Sequence, residues 1–224
     1  MTDLTNDGTE RGYYAERAAD LVDTVTLRDG TTAWIGPLKP SDRADLAREY
    51  ETLSSDSKRL RFLAGVAHLT PSMLDLLVDD VDGVEHVALV LFVEVDGDPT
   101  PVAIGRIVRH RRDPDAADVA ITVKDAWQGR GIASALLPQL IARRPPGVTH
   151  LLTEVAADNA ASLAMLKRLG PTRVHRVGGA LDVEVDLVGA GPHSAPAAAG
   201  ERLHPCLDTP GRERLKVRDR VAGI

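Results

Sequence analysis

The sequence predicts an α/β fold: a mixed, mostly antiparallel sheet of about six to seven strands flanked by helices. Three observations lead there. Apolar runs of strand length alternate with helix-length segments in the order strands, helices, strands, then strand, helix, strand, helix, strand, strand. Asp29-Gly30 stands between two alternating runs, a hairpin signature, because glycine accepts the positive φ of the turn. A glycine-bearing turn, Gln128-Gly129-Arg130-Gly131, then joins an apolar strand to a helix.

The elements follow in order. Strands are expected at 24–28 and 32–38, either side of the Asp29-Gly30 turn. Pro40-Ser41-Asp42 opens a helix reaching about residue 53, with Ser41 as its N-cap. A second short helix is read at 54–63, and Thr70-Pro71 opens a third, the threonine capping and the proline in the first position. The run HVALVLFVEV at 86–95 is a buried strand, turned by Asp96-Gly97-Asp98 into another at 101–109. Strands at 117–123 and 151–156 flank a helix at about 130–143. A helix at 160–169 stops at Gly170. Strands at 172–177 and 181–187 pair across Gly178-Gly179-Ala180.

A chain of 224 residues suits one domain with tails, expected at 22–188. An N-terminal arm at 1–21 precedes it. The Gly/Ala/Pro-rich tail at 189–224 has too little apolar surface to offset chain entropy, although its charged end at 212–224 suits a short exposed helix. The net charge of −6 argues against a general nucleic-acid binder. No apolar run approaches the roughly 20 residues of a bilayer span, so no membrane partner is expected. The polar N-terminus lacks a signal-peptide pattern, which makes the cytoplasm the expected location. The single Cys206 excludes internal disulfides and thiolate clusters, and the histidines lack ligand spacing, so no metal is expected. With 3% aromatics the core must be aliphatic.

The informative segment is ADVAITVKDAWQGRGIAS at 117–134. Gly129 and Gly131 let the backbone approach an anion closely. The first helical turn offers amides without internal partners, and the helix dipole adds positive potential. Ala133, Ser134 and Ala135 are small enough to leave room for a bulky phosphate ligand. A dinucleotide fingerprint fails because no further glycine follows in the helix, and a Walker loop fails for want of Gly-Lys-Ser/Thr.

Gln128-x-x-Gly131-x-Ala133 resembles the Gln/Arg-x-x-Gly-x-Gly/Ala signature of the GNAT acyltransferase superfamily, and the order of elements extends the resemblance over 24–187. Asp158-Asn159 before Ala160-Ala161-Ser162 resembles the superfamily's asparagine at the start of the helix after its fifth strand. That implies a contact with coenzyme A, while a plain helix cap uses Asn159 equally. Leu166-x-x-Leu169-Gly170 resembles the close of that helix, with Pro171 replacing an aromatic. A narrower resemblance is to the acyltransferase domain of the bacterial Pat protein lysine acetyltransferases. It rests on VTLRDGTTAWIGPL at 25–38, Leu53-Ser54 with Arg59-x-Arg61-Phe62, and Glu85-His86-Val87-Ala88. In that group a cyclic-nucleotide-binding or acyl-CoA-synthetase-like region accompanies the domain. Some twenty residues precede it here, so a stand-alone version is expected.

The resemblance implies acetyl-CoA as cosubstrate, bound where strands four and five of the family's fold splay apart, and an amine acceptor, a protein lysine, attacking directly. It implies cofactor contacts from Ile121, Thr122 and Val123, from Gln128, Gly129, Arg130, Gly131, Ile132, Ala133 and Ser134, and from Asn159 and Ser162. A lysine amine, with an ordinary pKa near ~10.4, must lose its proton before attack. The Pat-like pattern Ala-Glu-hydrophobic-Ala reads Ala117-Asp118-Val119-Ala120 here, which makes Asp118 the candidate base. Asp118, Ala120 and Thr122 share one strand face. Aspartate is a methylene shorter, so a bridging water is required; the other reading is a solvated acid. An amide near Val123 would hold the thioester oxygen.

The family's frequent general acid, a tyrosine in the helix after the asparagine, is absent: Met165 and apolar neighbours stand there, and Tyr13, Tyr14 and Tyr50 lie upstream. Ser162 or water is left to protonate the thiolate. His86 either lines the acceptor channel or is structural. The basic run Arg106, Arg109, His110, Arg111, Arg112 reads as a solvated strand and loop, Arg59 and Arg61 as partners of local acids, and Trp127 as packing. Two further readings stay open: a small-molecule amine acetyltransferase, and a catalytically weak acyl-CoA-binding sensor. A nucleic-acid binder fits worst. Small residues by the motif suit an acetyl group, and oligomeric state is open.

Overall fold

The computed structural model describes residues 21 and 23–187. The arm at 1–21, apart from Leu21, and the tail at 189–224 lie outside the described residues, as do Tyr13, Tyr14 and Cys206. Strands β1 (Asp23–Thr26) and β2 (Thr32–Pro37) form the expected hairpin, with Gly30 at φ +85° in its turn. Helices α1 (Arg43–Glu51), α2 (Ser55–Phe62) and α3 (Pro71–Leu74, prolonged by a π turn over Asp75–Asp79) follow. Then come β3 (His86–Val95), β4 (Asp98–Arg109), β5 (Ala116–Val123), α4 (Ile132–Ala142), β6 (His150–Ala156), α5 (Ala160–Leu166), β7 (Thr172–Val177) and β8 (Ala180–Asp186).

One sheet holds all eight described strands in the order β1-β2-β3-β4-β5-β6-β8-β7, against the six to seven expected. The edges are the weakest members: β1 has four residues, and β7 is exposed along almost its whole length, so backbone pairing with β2 and β8 holds both of these expected strands in the sheet. Every pairing is antiparallel except β5 with β6.

β3 reads as an unbroken apolar run because both its faces are buried. Period-two alternation divides it. Val87, Leu89, Leu91 and Val93 join Ile35, Ile107 and the α4 residues Leu136 and Leu140 in one core. Ala88, Val90 and Phe92 face Leu38, Met73, Leu77 and Val78 beneath the first three helices in the other. Each fully buried aliphatic side chain contributes roughly 1.5–3 kcal/mol, so the central strands anchor the sheet from both sides.

Local chemistry sets the helix ends, with two corrections. Thr70 caps α3 as expected, accepting from the Met73 amide at 3.2 Å, and Ser54 caps α2 through the Ser57 amide at 3.2 Å. Ser41 does not cap α1. The chain enters through a 3-10 turn over Pro40–Asp42, and the buried Asp42 carboxylate reaches back to the Lys39 amide at 2.8 Å. Helix α4 begins at Ile132 and not near Arg130, because Gly131 is left-handed at φ +86°.

β5 and β6 pair only at Ala116↔His150 and Ala117↔Leu151 and then part, with Thr153 Oγ1 donating to the Val119 carbonyl at 3.1 Å. The splay expected between strands four and five thus falls between the fifth and sixth strands of this chain, because the N-terminal hairpin adds a strand to the count.

Candidate active site

β5 ends at Val123, and Lys124 still donates to Val102 of β4 at 2.9 Å. A 3-10 turn over Asp125–Trp127 follows, then Gly129 at φ +79° and Gly131 at φ +86°. The first helical bond comes from Ala135 to the Gly131 carbonyl at 3.0 Å. The amides of Ile132, Ala133 and Ser134 therefore precede any intrahelical acceptor and point outward at the dipole's positive end. The turn is braced from outside. Asp125 accepts from the Ser54 amide and hydroxyl at 2.8 Å each and from the Ser57 hydroxyl at 2.6 Å. Desolvation pushes the Asp125 carboxyl up, but the hydrogen bonds from Ser57 and Ser54 outweigh it and hold it below the usual carboxylate range. The Gln128 side chain donates to Ser57 at 3.1 Å and to the Val123 carbonyl at 3.2 Å, so it ties α2 to the strand end.

The splay opens into a cleft of about 470 Å³. It brings together Ile121, Thr122, Val123, Gln128, Gly129, Gly131, Ile132, Ala133, Ser134, Asn159 and Ser162. Asn159 is also the cap of α5, its Oδ1 accepting from the Ser162 amide at 3.1 Å, so capping the helix leaves the residue in the cleft lining. Arg130 does not line the cleft: its guanidinium lies 4.4 Å over the Trp127 ring and 3.7 Å from Asp29. Residues that sequence reasoning missed also line it, including Arg28, Ser57, Arg61, Met165 and Arg168. Arg28 leans against the turn, its Cγ 2.8 Å from where a Cβ on Gly131 would sit. Helix α2 borders the cleft through Ser57, Leu60 and Arg61, with Arg59 bonded at 2.7 Å to Asp56 and at 2.8 Å to Asp158 before α5.

A second, mainly apolar pocket of about 100 Å³ lies between the first helices and the opposite sheet face. Leu38, Leu46, Tyr50, Phe62, Leu77 and Val90 line it, with Asp42, Asp45 and Glu49 along one wall. Arg61 and Thr122 belong to both spaces and mark where they meet. Asp118 lines neither. It is half-buried, opposite Val108 in the β4 register, on the face it shares with Ala120 and Thr122, and its charge acts on Arg61 and Arg106.

The Acetyltransferase (GNAT) domain family matches residues 34–172. This chain belongs to the GNAT acetyltransferase family. It is 33% identical over 165 residues to the acetyltransferase Pat of Mycolicibacterium smegmatis, covering 73% of this chain and 48% of that protein. The chain thus spans about half the length of that relative. An acetyltransferase of Pseudomonas aeruginosa is 28% identical over 166 residues, 74% of this chain and 86% of the relative. Among solved structures, the GNAT domain of S. lividans PAT superposes with a TM-score of 0.64 at 32% identity, covering 74% of this chain and 96% of that one.

Measured against the GNAT pattern, several side chains take unexpected places. The basic run is not solvated throughout. Arg106 is 4% exposed; its Nη2 donates to the Leu77 carbonyl at 3.3 Å, and its Nη1 lies 3.4 Å from His86 Nε2. Arg109 is held by Glu85 and by the Pro114 and Pro146 carbonyls. His86 lines neither space. Burial first, and then the Arg106 charge, push its imidazole down to about 4, which leaves it neutral and able to accept from Arg106 at neutral pH. Arg59 pairs with acids as expected. Arg61 does not: its guanidinium lies 4.7 Å from the Phe62 ring centre, and Nη2 is buried without a hydrogen-bond partner. Tyr50 lines the apolar pocket but donates to the Val66 carbonyl at 2.7 Å, and burial raises its phenol above the ordinary value. Among the described residues no group of three or more His, Cys, Asp and Glu is placed to hold a metal, and no helix is long and apolar enough to cross a membrane.

Proposed function

We propose that this protein transfers the acetyl group of acetyl-CoA to a primary amine, a protein lysine, by direct attack on the thioester. The observation that carries this reading is the amide-lined turn at Gly129–Gly131, which opens straight into the gap between β5 and β6. A diphosphate at the α4 N-terminus would gain the unpaired amides and the helix dipole. The pantetheine arm would then run along Ile121–Val123, where the backbone groups of Ile121 and Val123 fall on the side away from β4, toward the gap that β6 leaves unpaired. Similarity to the acetyltransferase Pat supports the acetyl donor.

The thioester would lie near Thr122, where the two spaces meet, with the amine entering from the helix side. Asp118 takes the ammonium proton through a bridging water, the nitrogen forms its bond to the thioester carbon, and the C–S bond breaks. The nitrogen sheds its second proton as the amide forms, and the thiolate takes up one proton, passed through Ser162 or water. General-base assistance of this kind is worth about 10²–10⁴-fold. Calorimetry with acetyl-CoA, followed by free-thiol release with lysine peptides, tests the reading. No binding to acetyl-CoA would sink it, while binding without thiol release would leave a sensor.

One observation favours a small-molecule amine as a second reading. The apolar pocket is small and lined mainly by aliphatic and aromatic side chains, a setting for the stem of a small aliphatic amine. Turnover of free small amines but of no peptide would select it.

A further inference from the structure

We infer that Arg61 is a catalytic residue that donates to the thioester oxygen and to the oxyanion it becomes. This rests on the acetyl-transfer reading above. Among the described residues, Arg61 Nη2 is the buried side-chain polar atom left without a hydrogen-bond partner. A sealed, unpaired N–H of a charged group costs roughly 1–3 kcal/mol or more, so it calls for a reason. Its location supplies one. Among the described residues, Arg61 and Thr122 alone line both spaces, so this arginine stands at the junction where donor and acceptor must meet.

The charges around it are unbalanced. Arg61 and Arg106 both feel Asp118, and they repel each other. His86 is neutral at neutral pH and adds no further positive charge. Two guanidinium groups thus face one carboxylate. The acids of the neighbouring wall are engaged elsewhere: Glu49 with Lys124 at 2.6 Å, Asp45 with Arg48 at 2.7 Å, and Asp42 with the Lys39 amide at 2.8 Å. The Phe62 ring, 4.7 Å away, offsets the excess only in part. Among the groups whose charge acts on these two arginines, Asp118 is the one carboxylate, so the pair has room for a further negative charge. Attack of the amine on the thioester carbon creates that charge on the carbonyl oxygen, and collapse with loss of the thiolate removes it. A preorganised cation that bonds the neutral carbonyl weakly and the oxyanion strongly lowers the barrier by that difference.

The test uses Arg61→Met and Arg61→Lys in the full chain. Arg61→Met should lower kcat about 10²–10³-fold, the usual effect of losing one oxyanion donor. The Kd for coenzyme A, measured by calorimetry, should change less than about threefold, well short of the tenfold that corresponds to 1.4 kcal/mol. Arg61→Lys keeps the charge and loses the fork, so it should recover part of kcat. Should Arg61→Met fail to fold, Arg61→Lys decides alone, with a kcat loss of at least about tenfold expected. Wild-type turnover that survives either substitution overturns the inference. So does a kcat loss matched by an equal loss of coenzyme A affinity, which would mark a structural arginine. A wild type that releases no thiol with any amine sinks the inference together with the acetyl-transfer reading.

Discussion

Gly131→Ala tests the phosphate turn, and Gly129→Ala is its built-in control. Both glycines are left-handed, at φ +86° and +79°. An L-residue there costs about 1–2 kcal/mol. For a domain of this size that lowers Tm by about 2–8 °C. The two sites differ in surroundings. A Cβ at Gly129 meets nothing within 4 Å, whereas at Gly131 it meets Arg28 Cγ at 2.8 Å, Cδ at 3.0 Å and Nε at 3.1 Å. Arg28 must then leave the turn. Gly131→Ala should therefore melt lower than Gly129→Ala and weaken coenzyme A binding by at least about tenfold, or 1.4 kcal/mol. Adding Arg28→Ala should restore stability to the Gly129→Ala level without restoring affinity. Thermal melts and calorimetry read both quantities. Equal melting of the two alanine variants, with Arg28→Ala simply additive, would refute the packing of Arg28 on this turn.

Asp118→Asn should reduce kcat by about 10²–10⁴-fold while coenzyme A binding by calorimetry stays unchanged; retained turnover would remove Asp118 as the base. Gly170→Ala should destabilise by more than about 3 kcal/mol in urea unfolding, because a Cβ there overlaps the backbone carbonyl of Asp186. Gly105→Ala should cost less, since its neighbours are the ends of the Leu140 and Leu136 side chains, which can shift. His86 gives a pH signature. Its folded-state value near 4 lies below the unfolded 6.5, so the unfolded chain binds the proton first. Its contribution is whole above pH 6.5 and is lost as pH falls toward 4, by about 3 kcal/mol at most. His86→Gln should flatten the stability profile in that window, and an unchanged slope would reassign the effect to the carboxylates.

What the sequence by itself determined is local. The Asp29-Gly30 hairpin, the caps at Ser54 and Thr70 and the glycine turn at 128–131 each depend on residues within a few positions of one another. Backbone sterics and short-range hydrogen bonds settle such features before any packing occurs. The apolar run at 86–95 also announced a buried strand, although it could not say which residues face which core.

Only the tertiary structure decided what stands around the turn. Arg28 belongs to a hairpin far upstream yet packs on Gly131, and Arg59 bonds Asp158 across 99 positions. Arg106 looked like one member of a solvated basic run, but its strand is central and both its sheet neighbours are paired, so its side chain is sealed against His86. Arg61 looked like a partner for nearby acids, and helix α2 instead delivers it to the meeting point of two spaces, with one N–H unpaired. Burial and charge balance are sums over residues that the fold assembles from distant segments. No local pattern carries them, which is why the glycine turn was legible in the sequence and the electrostatics beside Asp118 were not.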